Sequence, residues 1–245
     1  MIKNFCLTIF VLLFCSNCLL AQSAPASGGE ADQTDFAPGF SFGYVSNTFK
    51  VIKATGWQNP FFDPVANKYV TVPLNSINTN ALPGFAIGLT ARYSLTDLLE
   101  VRTTPSLVFA DRELIYTYQD NSTVTKQVQA TTLDLPLELK LKAERTGNFR
   151  PYIIGGLKYS ATVGKGNSQD TNDLNPLDKQ VKNVSGYASY EAGFGCDIYY
   201  EYFKLSPEIK LSNSIGNVLL PDNTPYSNPI SKLFLHTITI SLYFE

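Results

Sequence analysis

Charge is scarce in this 245-residue chain. Asp, Glu, Lys and Arg make up 16% of it, against roughly 25% in ordinary soluble domains. The net charge is −2, so no basic footprint argues for nucleic acid. There is one tryptophan, Trp57, and one histidine, His236. Three of the four cysteines, Cys6, Cys15 and Cys18, crowd into the N-terminus. Beyond them stands only Cys196, which excludes an intramolecular disulfide and a cysteine metal cluster in the mature chain. Its expected part is that of a small apolar residue on a strand. Long apolar runs are lacking too. After residue 22 nothing approaches the 18 or so consecutive apolar residues of a membrane helix. If the mature chain enters a membrane, it must do so as a closed barrel, because lipid offers no water to a sheet edge. A mean hydropathy of −0.04 does not oppose this, since alternating strands average an apolar face against a polar one.

The N-terminus is set apart from the fold. Met1-Ile2-Lys3-Asn4 supplies a basic start, Phe5 to Phe14 is an apolar run, and Leu19-Leu20-Ala21 precedes Gln22 as a cleavage site. This predicts a signal peptide over 1–21. Cys18 follows Asn17 rather than a small residue, which argues against lipidation. Residues 22–37 are mostly small and polar and read as a flexible leader, leaving 38–245 for a single domain.

From Pro38 the period becomes two. Eight runs carry it: 39–46, 84–94, 98–118, 124–143, 150–164, 186–200, 203–211 and 232–245. In the second, Phe85, Ile87, Leu89, Ala91 and Tyr93 share one face. In the fourth, Leu133, Leu135, Leu137, Leu139 and Leu141 oppose Asp134, Glu138, Lys140 and Lys142. A stretch read as a long loop, about 48–82, carries Pro60, Pro64 and Pro73. Connections alternate between long and short, as in outer-membrane barrels with short periplasmic turns and long extracellular loops. The final strand ends on Tyr243-Phe244-Glu245.

A soluble sandwich or lipocalin-like barrel also has period-two strands. Two features favour the membrane. Charges fall on the same face of nearly every run, so a soluble barrel would have to pack Leu, Phe and Tyr from eight long strands inside. The runs also match the roughly 9–11 residues that cross a bilayer at a tilt. The expected fold is all-β: an eight-stranded antiparallel transmembrane β-barrel in the outer membrane, surrounded by lipid.

The chemical candidates follow from that fold. Arg92, Glu100, Arg102, Asp134, Glu138, Lys140, Glu191, Glu208 and Lys210 share the inward face. Eight strands enclose a lumen just wide enough for side chains, and buried charges must pair. These nine are expected to form a salt-bridged structural network; an ion path or a carboxylate acid–base pair is the alternative. By parity His236 lies with Ile238 and Ile240 on the lipid face, without the nucleophile and orienting group of a triad. No catalytic residue, cofactor, metal or small-molecule substrate is therefore expected. Glycines such as Gly155, Gly156, Gly193 and Gly195 read as marks of curvature or close approach. Tyr44, Tyr93, Tyr159, Tyr187, Tyr199 and Tyr243 fit aromatic girdles, with sugar stacking at a loop tip as the alternative. In the 48–82 stretch Trp57, Phe61 and Phe62 either contact a partner or fold over the barrel mouth.

Several segments resemble a known family. PGFAIGLTARYSLTDLLEVRTTPSLVFADRELIYTY (83–118), LDLPLELKLKAERTGNFRPYIIGGLKYS (133–160), YEAGFGCDIYYEYFKLSPEIKLSNSIGNVL (190–219) and the closing ISLYFE are similar to the PorT family of type IX secretion outer-membrane proteins. The signal peptide ending in Ala-Gln also looks like those of Bacteroidota. The resemblance implies a part in exporting proteins with a type IX sorting domain, with other secretion components as partners and no catalytic residues to carry over. The alternatives are a structural or adhesive barrel that binds through its loops, and an enzyme embedded in the membrane.

Overall fold

The computed structural model describes residues 34–64, 66–128, 131–164, 177 and 181–245. The signal peptide and the leader up to residue 33 lie outside these. The described chain is built from strands: β1 Phe36–Lys53, β2 Phe62–Asp63, β3 Lys68–Tyr69, β4 Leu74–Asn80, β5 Leu82–Ser94, β6 Leu99–Thr103, β7 Ser106–Phe109, β8 Arg112–Tyr118, β9 Thr123–Val128, β10 Thr131–Lys142, β11 Phe149–Thr162, β12 Gly186–Tyr199, β13 Lys204–Ser214 and β14 Ile230–Phe244.

All the pairings are antiparallel, and those of the barrel form a ring. From β1 the ladder runs through β14, β13, β12, β11 and β10, then through β6 and β7 to β5, and β5 pairs back onto β1. β6 and β7 share one position, so the ring has eight. The seam between the first and last strands is a long ladder, from Phe40 opposite Phe244 up to Lys53 opposite Ile230. β1 starts at Phe36, so the expected leader gives up its last two residues to the sheet.

One position in the wall is broken. Arg102 pairs with Glu138 and Ser106 with Asp134, and the ladder lapses between them at Thr104-Pro105 opposite Leu135-Pro136. Proline has no N–H to give a ladder, and two prolines meet here. The Thr103 hydroxyl bridges the gap by donating to the Pro136 carbonyl at 2.7 Å.

The stretch 48–82 is not a plain loop. β1 continues to Lys53, β2 and β3 form a small hairpin, and β4 joins β8 and β9 in a three-stranded sheet. This sheet rises past the barrel on the side of the long connections. With the upper parts of β1 and β14 and residues 218–226 it encloses an apolar core of Phe49, Leu74, Ile77, Leu114, Tyr116 and Leu233, among others. The Tyr116 hydroxyl donates to the Tyr226 carbonyl at 2.7 Å, and burial raises the pKa of its phenol. The opposite end is closed by short turns, one of them capped by the Thr96 hydroxyl, which accepts from the Leu98 and Leu99 amides.

Candidate functional site

Alternation decides what fills the barrel. Along its lower wall the outward residues are large and apolar: Phe42, Leu89, Leu137, Ile153, Phe194 and Ile240 are all exposed. Near the short turns, Phe40 stacks on Phe244 with centroids 5.0 Å apart and Tyr200 on Phe203 at 4.8 Å, which makes an aromatic belt across neighbouring strands. The inward residues are charged, and all nine expected lumen residues are buried inside.

They meet in three layers. The middle one centres on Arg102, whose Nε lies 3.0 Å from Glu138 and whose Nη2 lies 2.8 Å from Glu208. Lys210 reaches Glu138 at 2.7 Å and Glu208 at 3.5 Å, and the Tyr152 hydroxyl donates to Glu208 at 2.8 Å. The guanidinium also stacks over Tyr243, 4.2 Å from its centroid. Below, Arg92 binds Glu245 at 2.8 Å and Glu100 at 3.6 Å, Lys140 binds Asp197 at 2.9 Å, and Lys142 binds Glu100 at 3.2 Å. Above, Lys158 bridges Asp134 at 3.2 Å and Glu191 at 3.6 Å.

The network is wider than the nine. Asp197, Lys142, Lys158, Lys204 and Glu245 belong to it. Asp197 and Lys204 have the parity of Glu191 and Glu208, so alternation pointed to them. Glu245 enters because the last strand carries its side chain back under the barrel, against Arg92 and Lys204. Glycines make the room. A Cβ on Gly195 would lie 2.6 Å from the Tyr152 hydroxyl, and one on Gly193 would lie 2.7 Å from the Lys210 stem.

Three of the six girdle tyrosines, Tyr44, Tyr93 and Tyr159, do face outward. The others do not. Tyr243 and Tyr199 are buried, Tyr243 beneath Arg102 and Tyr199 under the Arg145 guanidinium at 3.8 Å. Tyr187 turns toward the lumen, where its hydroxyl accepts from Arg112 at 3.2 Å. Their parity, shared with the inward charges, is the reason.

Between the upper ion pairs and the apolar cap lies a chamber of about 50 Å³, lined by hydroxyls of Ser41, Ser106, Thr132, Ser189, Ser212 and Thr237 and reached by Arg112, Lys158 and Glu191. A larger cleft of about 370 Å³ opens on the outer face of the cap and takes in Trp57, Phe61 and Phe62 together with Asn59, Asn228 and Pro225. Phe61 is buried and Trp57 half-buried against the cap core, with the Lys53 ammonium 3.7 Å from the Trp57 ring centroid. Phe62 is 44% exposed and packs edge-on against Tyr69.

His236 is held by an amide, with its Nδ1 2.7 Å from Asn213 Oδ1 on the outer face of the neighbouring strand. Among the described residues, no group of three or more His, Cys, Asp or Glu side chains could hold a metal ion.

A barrel with an apolar exterior, an aromatic belt and a charged interior is a membrane barrel. The chain belongs to the outer membrane protein beta-barrel domain family, whose model matches residues 20–220, and its place is the outer membrane. Among solved structures it is similar to OprG from Pseudomonas aeruginosa, with 13% identity, 85% of this chain and 93% of that one covered, and a TM-score of 0.46. It is also similar to Neisserial surface protein A, with 8% identity, coverages of 86% and 96% and a TM-score of 0.43. A third is Ail of Yersinia pestis, with 10% identity, coverages of 84% and 96% and a TM-score of 0.36. No curated protein matches the sequence.

Proposed function

We propose that this barrel is a non-catalytic component of the type IX secretion machinery in the outer membrane, needed for the export of sorting-domain proteins. The family resemblance of 83–118, 133–160 and 190–219 supports the pathway. The observation that carries the mode of action is the filled lumen. Arg102, Glu138, Glu208 and Lys210 span its middle with contacts of 2.7–3.5 Å, which leaves no conduit for a polypeptide. The charges act as a structural plug, and work on other secretion components is done by the exposed ends. Each central carboxylate is tied to Arg102, which suits a permanent counter-ion better than a proton-transfer group.

Deleting the gene should leave sorting-domain cargo in the periplasm, and a plasmid copy should restore it to the surface. Intact secretion in the deletion strain would sink the proposal. A second reading, a barrel that binds partners outside the cell, is favoured by the cleft around Trp57, Phe61 and Phe62. On that reading Phe62→Ser with Tyr69→Ser abolishes surface binding and leaves secretion intact; on the first, secretion depends on the gene whether or not the cleft is altered.

A further inference from the structure

Arg112 opens β8 at the level where the charged lumen gives way to the apolar cap. It is 4% exposed. Six other buried cations, Arg92, Arg102, Lys140, Lys142, Lys204 and Lys210, and the partly buried Lys158 each have a carboxylate oxygen within 4 Å. Arg150, at the turn end, donates to the Ala143 and Asp97 carbonyls. Among the described residues Arg112 has no such ion pair. Its Nη2 donates to the Tyr187 hydroxyl, its guanidinium lies 5.9 Å from the rings of Phe49 and Tyr187, and its Nε has no hydrogen-bond partner. The carboxylates beside it in sequence alternate away to the outer surface: Asp111 accepts from Gln127 and Glu113 from Asn80.

A buried guanidinium needs compensation, and two ring faces at that distance supply little of it. The space to supply the rest is adjacent, because Arg112 lines the hydroxyl-walled chamber of about 50 Å³. That volume holds a small ion with a water or two and excludes a sugar, a lipid headgroup or a peptide. Thr132 and Thr237 already donate to Asp134 and Asn47, but the hydroxyls of Ser41, Ser106, Ser189 and Ser212 can turn their hydrogens toward an anion. Lys158 faces the same chamber, but Asp134 and Glu191 already engage it. These carboxylates form the lower wall and repel an anion from it, which places the anion high, against Arg112. We propose that the chamber is a halide site in which a chloride ion is the counter-ion of Arg112. The site joins β8 to β12 through Tyr187 beneath the cap, so that chloride fastens cap to barrel.

The full-length mature barrel in detergent is the material for the test. Sodium chloride and sodium gluconate at equal ionic strength carry the same charge, but gluconate is too large for the chamber. Thermal unfolding should shift upward with the logarithm of chloride concentration, as a ligand of the folded state requires, and should not respond to gluconate in this way. Arg112→Met should erase the difference between the salts. Crystals soaked in bromide should give an anomalous peak in the chamber, which decides the matter even if Arg112→Met does not fold. An empty chamber in bromide-soaked crystals, equal responses to the two salts, or a chloride effect surviving in Arg112→Met would each overturn the proposal.

Discussion

The barrel wall and the cap above it are built on the same strands with opposite polarity. On the lower part of β14, Leu242, Ile240 and Ile238 face out while Ser241, Thr239 and Thr237 face in; higher up, Leu233 and Leu235 are buried and Lys232 faces out. β1 makes the same exchange, from exposed Phe42 and Tyr44 over inward Ser41 and Gly43 to buried Phe49 beside exposed Lys50. The pleat does not slip; the surroundings change. Lipid outside asks for an apolar exterior and tolerates a charged, self-paired interior, whereas water outside asks for the ordinary arrangement. The exchange falls at Thr48, His236 and Asn213, which are cross-strand neighbours on the outer face. The membrane boundary is therefore written into the chain as a reversal of phase.

The sharpest way to break the comparison is to remove a charge from the lower half. Arg102→Leu leaves Glu138 and Glu208 to share Lys210 and should cost about 3–5 kcal/mol, read as loss of heat-modifiable migration on a gel. Adding Glu208→Gln should recover much of it, since Glu138 keeps Lys210 at 2.7 Å and the cost lies in the excess negative charge. In the cap, Leu114→Ala, at a fully buried apolar site, should cost about 2–5 kcal/mol. The damage should stay local: amides of β4, β8 and β9 exchange faster in deuterium while those of β11 to β13 keep their protection. Global unfolding would show instead that cap and barrel are one cooperative unit. On the outer face, Leu137→Lys, at a 65%-exposed position facing lipid, should cost about 2–4 kcal/mol. Lys232→Leu, above the exchange, should change stability hardly at all, and a gain there comparable in size to the loss in Leu137→Lys would move the boundary upward.

The barrel was legible because period two survives wherever one face meets lipid, and each of the eight runs holds strand. The cap was less so. In β4 the buried residues are Leu74 and Ile77, three apart, because the register shifts between Leu74 and Ser76. A bulge breaks the alternation that marks a strand, and the prolines at 60, 64 and 73 made the whole stretch read as loop. Inward charge was legible from parity, as with Glu138, but pairing was not: Arg102 and Glu208 are 106 residues apart and meet only when the ring forms. Residue type suits Tyr199 and Tyr243 to a girdle, but Asp197 and Ser241, two residues away, put them inside. Arg112 had no signal of its own, since a lone arginine at a strand start is ordinary until its surroundings are built.

A smaller effect than those of Arg102, Leu114 and Leu137 tests a place where the wall itself is weak. Between Arg102 and Ser106 the ladder to β10 lapses, and the Thr103 hydroxyl supplies a bond that Pro105 and Pro136 do not. Thr103→Val keeps the shape and removes the donor, and should cost about 1 kcal/mol, since no water in the hydrocarbon replaces it at the Pro136 carbonyl. The matched change in the cap, Thr79→Val, removes a hydroxyl that donates to the Phe49 carbonyl at 2.9 Å. Water can reach the cap surface, so that loss should be smaller. Urea midpoints of the two variants in bilayers would decide it. Equal losses would mean that the lapse at Pro105 is hydrated from the lumen chamber, whose lining includes Thr104, Ser106 and Pro136.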